Sequence, residues 1–362
     1  FRSNSGFIGS IDNVSVKEVT GQEVVPDSGC GSWLLEPQST NLVPYSEDFS
    51  QWVGVNSVIV ALTTETSAPN GLLSSVYKIT SGNVSSRIQV SSITSASNYT
   101  KSIFVKHSTN TTLRFDGSGS NNRVEFSITS SGVTLSSAAS NVISTNIEDY
   151  GNGWFRISAT LPAASDFFQI NPDVSGNDNG SVYIWGAQLE EQTHSTSYIP
   201  TSGATNTRNK DISTNSGNAT LINSTEGVLY AEMSFLDDNQ FKFISLSNGS
   251  STIRVSLFSN SSTTISVNVK NSSGNQFNTS FSIDSIINHK LALKYKENDF
   301  ALWIDGQERL IDLSGTTFPT STLSELSFDN GNGTANFFGK NKCVAVYKEA
   351  LTDAELQCLT TI

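Results

Sequence analysis

Short segments in which apolar and polar residues alternate follow one another along most of the chain, separated by Gly, Asn and Ser. A period of two places every second side chain on one face, so each segment predicts a half-buried β-strand. Short strands at this spacing are typical of β-sandwiches and jelly rolls, and we predict an all-β chain with two tandem β-sandwich domains. The predicted strands are 58–62, 75–79, 87–90, 99–106, 112–115, 123–128, 154–161, 167–171, 181–189, 227–235, 241–246, 252–258, 264–269, 276–281, 289–296, 299–304, 323–329 and 342–347.

One segment near the C-terminus has a helical signature instead. In 350–359, ALTDAELQCL, Thr352 is a good N-cap residue and Glu355 follows three positions later, which is the pattern of a capping box. Leu351, Leu356 and Leu359 supply an apolar side. We therefore predict one short helix at the C-terminal end of the second sandwich.

The first residues predict a strand that lacks a local partner. Residues 1–19, FRSNSGFIGSIDNVSVKEV, and residues 181–191, SVYIWGAQLEE, are both apolar strands that run into an acidic polar segment. A single strand cannot bury its apolar face alone. We expect residues 1–19 to be the closing strand of an upstream sandwich module, and the chain to be a segment of a longer modular protein.

Composition shifts divide the rest of the chain. Residues 20–39 are rich in Gly and Pro and predict a linker, whose apolar residues Trp33, Leu34 and Leu35 are expected to dock on a neighbouring module. The first complete sandwich is predicted at 40–199, a second polar linker at 200–221 and the last sandwich at 222–362.

Charge and cysteine content exclude several classes of protein. Charged residues make up only 15% of the chain and the net charge is −12, which argues against nucleic-acid binding. The sequence contains no apolar run long enough to predict membrane insertion. The three cysteines form a poor disulfide framework, and we expect Cys343 and Cys358 to be buried, close together and reduced.

The candidate catalytic residues are few. The chain has three histidines and neither an HExxH nor a GxSxG motif. Its acidic pairs, such as Glu47–Asp48 and Glu148–Asp149, are adjacent residues, which point to opposite faces of a strand. They do not form the paired carboxylates of a glycosidase, and the sequence predicts a protein that is not an enzyme.

Aromatic and polar residues provide candidates for sugar binding, because the apolar face of a sugar packs on an aromatic ring. Trp52 and Trp154 are the stacking candidates, whereas Trp185 and Trp303 alternate within predicted strands as core residues. The loop DGSGSNNR at 116–123 adds Asn121, Asn122 and Arg123, with Arg123 as a donor to sugar hydroxyls or acidic sugars. The alternatives are buried tryptophans and a mobile hairpin without a ligand.

Two loops are candidates for structural calcium, because Ca²⁺ takes several oxygen ligands from flexible loops. The loop DVSGNDNG at 173–180 contains Asp173, Asn177 and Asp178, and the loop FDNGNGT at 328–334 contains Asp329 and Asn332. Asn-Gly and Asp-Asn-Gly are also strong hairpin-turn signals. Ordinary turns are therefore the alternative for both loops.

Several longer stretches resemble known families. The stretches LLEPQSTNLVPYSEDFSQW (34–52), NYTKSIFVK (98–106), EDYGNGWFRIS (148–158) and VYIWGAQLEEQTHSTSYIPTSGATNTRNKD (182–211) resemble the carbohydrate-binding-module-like jelly rolls of phage tail and virion proteins. The stretches HKLALKYKENDFALWIDGQ (289–307) and KCVAVYKEALTDAELQCL (342–359) resemble concanavalin-A-like, laminin-G-like sandwiches. Related lectin-like jelly rolls often carry a structural calcium.

The resemblance implies an exposed phage virion protein, a tail fibre or capsid appendage that adheres to host-surface glycans. Its partners would be those glycans and other virion proteins, and it would assemble as a homotrimer or larger oligomer on the virion surface. The alternatives are a secreted bacterial adhesin, the accessory glycan-binding segment of a polysaccharide-degrading enzyme, and a purely structural spacer. Fold does not by itself determine which of these is correct.

Overall fold

The computed structural model describes residues 24–25, 31–73, 75–95, 97–109, 111–116, 120–174, 180–213, 216–237 and 240–362. The closing strand predicted at 1–19 lies outside these residues, as do Cys30, Asn177 and Asp178. Every strand ladder among the described residues is antiparallel, and the α-helix present there is α1, Asp353–Thr360. The predicted all-β fold class, with a short C-terminal helix, is confirmed.

The strands of the N-terminal part extend to residue 208. They are β1 Val24–Val25, β2 Ser32–Leu35, β3 Ser39–Asn41, β4 Val53–Val55, β5 Ile59–Thr63, β6 Val76–Thr80, β7 Arg87–Ser95, β8 Tyr99–His107, β9 Thr111–Asp116, β10 Arg123–Thr129, β11 Gly132–Ala138, β12 Ser144–Gly151, β13 Trp154–Leu161, β14 Ala164–Asn171, β15 Ser181–Glu190 and β16 Asn206–Arg208. Short 3₁₀ turns occupy Phe49–Gln51 and Ser120–Asn122.

The C-terminal part contains the remaining strands, followed by α1. They are β17 Glu226–Phe235, β18 Lys242–Ser247, β19 Arg254–Ser259, β20 Thr264–Asn271, β21 Gly274–Ser282, β22 His289–Lys296, β23 Phe300–Ile304, β24 Gln307–Asp312, β25 Glu325–Ser327 and β26 Gly339–Tyr347. The helix α1 is neither long nor apolar enough to cross a membrane, and the described residues contain no other helix that is.

Two six-stranded sheets form the first sandwich. Sheet 1 has the order β11-β10-β9-β14-β7-β4, and sheet 2 has the order β12-β13-β8-β15-β6-β5. The alternation along each strand directs one apolar set between the sheets, where residues such as Ile103, Phe115 and Ile157 are fully buried. Burying one such side chain stabilises the fold by roughly 1.5–3 kcal/mol. The same alternation leaves a second set of side chains on each outer face.

The second sandwich packs a seven-stranded sheet against a five-stranded one. Sheet 3 has the order β1-β2-β26-β17-β22-β23-β24, and sheet 4 has the order β21-β20-β19-β18-β25. Helix α1 covers the outer face of sheet 3, where Leu356 packs with Tyr230 and Trp303. The predicted capping box between Thr352 and Glu355 is present. Trp185 and Trp303 are both buried, as predicted.

The segment predicted as a linker at 20–39 contributes strands to the second sandwich. In β2, Trp33 pairs with Asn341, and Leu35 pairs with Gly339 of β26 while its side chain enters the second core. The first sandwich therefore lies in sequence between two strands of sheet 3, β2 and β17. The composition of 20–39 indicated a linker, but its backbone satisfies the hydrogen-bonding groups along β26.

The segment predicted as a linker at 200–221 is also partly structured. Its strand β16 pairs with β3, and Arg208 forms an ion pair with the buried Glu36, with 2.6 Å between Nη1 and Oε2. The predicted domain boundaries stay predictions. The buried residues of the first core lie between positions 43 and 189. Those of the second core lie between positions 222 and 337, with Leu35 added from the preceding segment.

The cysteine prediction was wrong in one respect. Cys343 and Cys358 are free but exposed, not buried. Cys343 lies in β26 where the register with β17 shifts, and Cys358 lies on the solvent side of α1. Leu356 and Leu359 of the helix, and not Cys358, pack against sheet 3.

Candidate functional site

A cleft of about 520 Å³ opens at one end of the first sandwich. Its walls come from the loop before the first 3₁₀ turn, from β5 and β6, and from the chain that follows residue 199. This volume lies in the range of small-ligand sites. The lining residues are Tyr45, Glu47, Asp48, Leu62, Ser75, Tyr77, Pro200, Thr201 and Ser202.

Aromatic residues anchor the loop 45–52 in the core of the first sandwich. Phe49 and Trp52 are buried in the first core, with their ring centroids 5.1 Å apart. The indole nitrogen of Trp52 donates to the carbonyl oxygen of Tyr45 at 2.9 Å. Asp48 accepts from the backbone nitrogen of Ser50 at 3.1 Å and so caps the 3₁₀ turn. The loop thereby holds Tyr45 and Asp48 at the rim of the cleft.

Reciprocal hydrogen bonds attach the opposite wall to this loop. The backbone nitrogen of Ser46 donates to Oγ1 of Thr201 at 2.9 Å, and the backbone nitrogen of Thr201 donates to Oγ of Ser46 at 2.8 Å. Tyr45 and Ser202 form an antiparallel bridge. Because Ser46 and Thr201 are both buried, these bonds are shielded from water. The cleft therefore has a preformed shape.

Each of the two carboxylates that line the cleft accepts a hydrogen bond from a tyrosine, and Tyr77 lines the cleft as well. The hydroxyl of Tyr77 donates to Oδ1 of Asp48 at 2.7 Å, and the hydroxyl of Tyr198 donates to Oε1 of Glu47 at 3.1 Å. Hydrogen bonds from Ser50 and Tyr77 lower the pKa of Asp48, and burial raises the pKa of Tyr198. Among the described residues neither carboxylate forms an ion pair. The cleft thus presents carboxylate acceptors, each oriented by a tyrosine hydroxyl that donates its one proton to it.

This arrangement suits a ligand that is rich in hydroxyl groups. An ionised carboxylate has about four acceptor positions, and the tyrosine bonds occupy only one oxygen of Glu47 and one of Asp48. The exposed side chain of Leu62 and the ring of Tyr45 add apolar surface beside them. Convergent polar groups beside apolar surface can orient a sugar by its hydroxyls and its ring face.

The tryptophans predicted to stack on sugars belong to the core. Trp52 is 6% exposed, and Trp154 is 2% exposed and donates to the carbonyl oxygen of Ser67 at 2.8 Å. Trp154 packs with Phe104 and Trp185 on the outer face of sheet 2, under residues near Ala68. Neither tryptophan offers a ring face to a ligand, so the prediction of exposed stacking rings was wrong. Trp52 instead positions the loop of the cleft.

Arg123 belongs to a charged cluster on the outer face of sheet 1. Its Nε lies 3.1 Å from Oδ1 of Asp116, which also pairs with Arg114 at 2.8 Å. Gln169 of β14 donates to the other oxygen of Asp116 at 2.7 Å. The side chain of Arg123 remains 46% exposed. Arg114 and Gln169 were not among the predicted site residues. They are polar residues within the strands β9 and β14, and this polarity is the sequence feature that could have pointed to them.

The predicted binding surface is not assembled as a whole. Arg123 lies on the outer face of sheet 1, whereas Trp154 lies on the outer face of sheet 2, across the sandwich. Asn121 is exposed beside Arg123, and Asn122 is buried. A ligand role for Asn121, Asn122 and Arg123 stays a prediction. The tryptophans that were expected to complete this surface do not contribute to it.

Of the candidate calcium residues, Asp329 and Asn332 accept hydrogen bonds within their own loop. Oδ1 of the buried Asp329 accepts from the backbone nitrogen of Gly331 at 2.6 Å, and Oδ1 of Asn332 accepts from the backbone nitrogen of Thr334 at 3.2 Å. Asp173 is buried beside Gly180. The described residues contain no group of three or more His, Cys, Asp or Glu that could hold a metal ion. Calcium binding at either loop stays a prediction.

Comparisons with known proteins do not assign a family. No family model and no curated protein matches the chain. Solved structures align over parts of it. The CBM40 module of the Ruminococcus gnavus IT-sialidase bound to α2,3-sialyllactose is 17% identical, over 42% of this chain and 97% of that one, with a TM-score of 0.34.

Two further structures show the same low level of similarity. The leech intramolecular trans-sialidase complexed with 2,7-anhydro-Neu5Ac is 16% identical over 42% of this chain and 27% of that one, with a TM-score of 0.34. Domains LG4-5 of the mouse laminin α1 chain are 8% identical over 93% of this chain and 96% of that one, with a TM-score of 0.28. Similarity this low says nothing about the ligand of this chain, and the cleft must be judged on its own geometry.

Proposed function

We propose that this protein binds glycans without catalysis and that the cleft of the first sandwich is a binding site. The observation that carries the proposal is that the carboxylates of Glu47 and Asp48, oriented by the hydroxyls of Tyr198 and Tyr77, both line one preformed cleft. None of the described residues that line the cleft has a cationic side chain, which favours an uncharged sugar over an acidic one.

The lowered pKa of Asp48 supports a binding role. A general acid in glycoside hydrolysis needs a raised pKa. Among the described residues, burial raises the pKa of Glu36 and Asp211, which lie beside Arg208 and outside the cleft lining. Asp48 in the cleft has a lowered pKa instead. Its carboxylate is therefore an acceptor for ligand hydroxyls.

The biological setting is proposed from the sequence resemblance. We place the protein on a phage virion, as a tail-fibre or capsid appendage that adheres to host-surface glycans, in a homotrimer or larger assembly. Immunogold labelling of purified virions with antibodies to this chain tests the placement. Unlabelled virions, with the protein found in the bacterial culture supernatant, would favour a secreted adhesin.

Removing the polar groups of the cleft is expected to weaken glycan binding by at least tenfold. In the double variant Asp48→Asn/Tyr77→Phe the charge of the acceptor and the hydroxyl that orients it are both lost. Hydrogen bonds to charged groups contribute about 1.5–3 kcal/mol each. Binding is measured on an array of uncharged oligosaccharides and then by calorimetry with the strongest array ligand.

The control uses an equivalent pair outside the cleft. The hydroxyl of Tyr183 donates to Glu65, and neither residue lines the cleft. The variant Glu65→Gln/Tyr183→Phe should bind as the parent chain does. If the cleft variant retains all glycan binding, or if both variants lose it equally, the cleft is not the binding site.

Binding in the cleft should be independent of pH from about 5 to 8. The pKa of Asp48 lies below its ordinary value of 3.8, so its carboxylate stays ionised throughout this range. Loss of the Asp48 charge should lower the affinity only when the pH drops below that ordinary value, because the lowered pKa keeps the carboxylate ionised down to it. Calorimetry over the pH series checks this. A loss between pH 7 and 5 would show that a group other than Asp48 controls binding.

A further inference from the structure

A second concavity lies at the junction of the two sandwiches. This groove has a volume of about 630 Å³ and is lined from both modules. Gln38, Asn98 and Gln192 come from the N-terminal part of the chain, whereas Phe241 and Asn336 come from the second sandwich. The groove shares no lining residue with the cleft described above.

An aromatic stack leads into the groove. The ring of Phe241 stacks on that of Phe243, with centroids 6.1 Å apart and planes at 21°. Phe243 stacks in turn on Phe258 at 4.5 Å and 12°, and the guanidinium of Arg254 lies 4.9 Å from the Phe243 ring. Phe241 also lies 6.3 Å from Phe258, and it is the exposed member of this aromatic cluster, at 54%. A large, supported and exposed ring of this kind is a platform for the apolar face of a sugar.

Amide side chains line the same groove as this ring. Nε2 of Gln192 donates to the carbonyl oxygen of Gln38 at 3.0 Å, which leaves Oε1 of Gln192 as an acceptor. Nζ of Lys210 donates to Oδ1 of Asn336 at 2.7 Å, which leaves the amide group of Asn336 as a donor. The amide of Gln38 is exposed. An amide both donates and accepts, as a sugar hydroxyl does.

The two walls of the groove are held together by the chain itself. Strand β2 pairs with β26 of the second sandwich and continues into β3, which pairs with β16. The Lys210–Asn336 bond crosses the groove directly. A binding surface whose parts are already in place loses less conformational entropy on binding.

We propose that the groove is a second binding site and that it takes an uncharged oligosaccharide. One sugar ring would pack on Phe241, and the hydroxyls of its neighbours would bond with the amides of Gln38, Gln192 and Asn336. The opposite charges of Glu191 and Lys210 offset each other in the lining. A single exposed ring among amides is a poor match for a protein partner, which needs a larger apolar patch.

Two sites on one chain would strengthen attachment to a repetitive glycan surface. Binding at the first site raises the effective concentration of ligand at the second, with a gain that depends on the fixed spacing between them. The groove thus adds to the proposed cleft and does not depend on it.

The test uses the full chain and an array of uncharged oligosaccharides, followed by calorimetry with the strongest array ligand. Phe241→Ala and Gln38→Ala should each lower the affinity for at least one oligosaccharide, Phe241→Ala by tenfold or more. Leu313→Ala, which truncates another exposed apolar side chain outside the groove, should leave it unchanged. Thermal unfolding of each variant confirms that the fold is retained.

The outcomes separate the groove from the cleft. An oligosaccharide that loses affinity in Phe241→Ala but not in Asp48→Asn/Tyr77→Phe supports the groove. Unchanged binding of every oligosaccharide by both groove variants overturns it, whatever the cleft variant does. The absence of any binding by the parent chain overturns it as well. Loss of binding in the cleft variant alone rejects the groove and supports the cleft.

Discussion

Replacing Arg208 by methionine is expected to lower the free energy of unfolding by about 3 kcal/mol at pH 7, because a buried carboxylate then loses its cation. Glu36 is 4% exposed, and its ion pair with Arg208 joins the chain before the first sandwich to the chain after it. Nη2 of Arg208 also donates to the carbonyl oxygen of Pro37 at 3.1 Å. Methionine matches the length of the arginine stem but replaces neither contact.

The pH dependence of this variant identifies the cause. Burial already raises the pKa of Glu36 above its ordinary value of 4.5, and Arg208 opposes that rise. Without Arg208 the pKa of folded Glu36 rises further. When the pKa of a carboxyl group is higher in the folded protein than in the unfolded chain, stability is retained below the unfolded pKa, about 4.5 for Glu36. It is lost as the pH rises through the pKa of the folded state. The destabilisation should therefore be smaller at pH 4 than at pH 7.

The measurement is urea unfolding followed by tryptophan fluorescence at both pH values. Arg123→Met is the matched control, because Arg123 is 46% exposed and Asp116 keeps its ion pair with Arg114, so the loss should be only about 0–1 kcal/mol. The double variant Arg208→Met/Glu36→Gln should recover part of the loss. Equal effects of Arg208→Met and Arg123→Met at pH 7 would contradict the role of the buried pair.

Replacing Trp52 by alanine is expected to cost about 3–5 kcal/mol of unfolding free energy, the range for large aromatic residues in cores. Trp52 packs against Phe49 and Phe168, with ring centroids 5.1 and 5.4 Å away. Its removal leaves a cavity beneath the loop that carries Tyr45. Trp33→Ala is the control, because Trp33 is 55% exposed and its loss should change stability by about 0.5 kcal/mol or less.

A milder variant separates stability from binding. Trp52→Phe keeps an aromatic ring in the core but loses the hydrogen bond to the carbonyl oxygen of Tyr45, a cost of about 1 kcal/mol. The protein should still fold, and its glycan affinity should fall because the loop at the cleft is released. Urea unfolding and calorimetry measure the two effects. Equal free energies of unfolding for Trp52→Ala and Trp33→Ala would show that Trp52 is not a core residue.

Strand prediction from the sequence succeeded where one face is buried. Residues 123–128 match β10, Arg123–Thr129, to within one residue, because burial alternates along this strand and its polar and apolar residues alternate with it. The strands β11, β12 and β24 were missed. Each is an edge strand whose side chains are mostly exposed. Such a strand buries little apolar surface, so its residue pattern carries a weak signal.

The sequence by itself determined the fold class, the capped C-terminal helix and most of the strands, since all of these depend on residues close together in the chain. It did not determine which tryptophans are exposed. Trp154 belongs to an outer sheet face that other segments cover, and local polarity is the same for a covered and an uncovered face.

Only the tertiary structure decided the sites. The Glu47–Tyr198 and Glu36–Arg208 contacts join residues that are 151 and 172 positions apart. The pairing of β2 with β26 makes a segment that reads as a linker into part of the second sandwich. Contacts of this range have no periodic signature, because the register between distant strands is set by the packing of whole sheets and not by neighbouring residues.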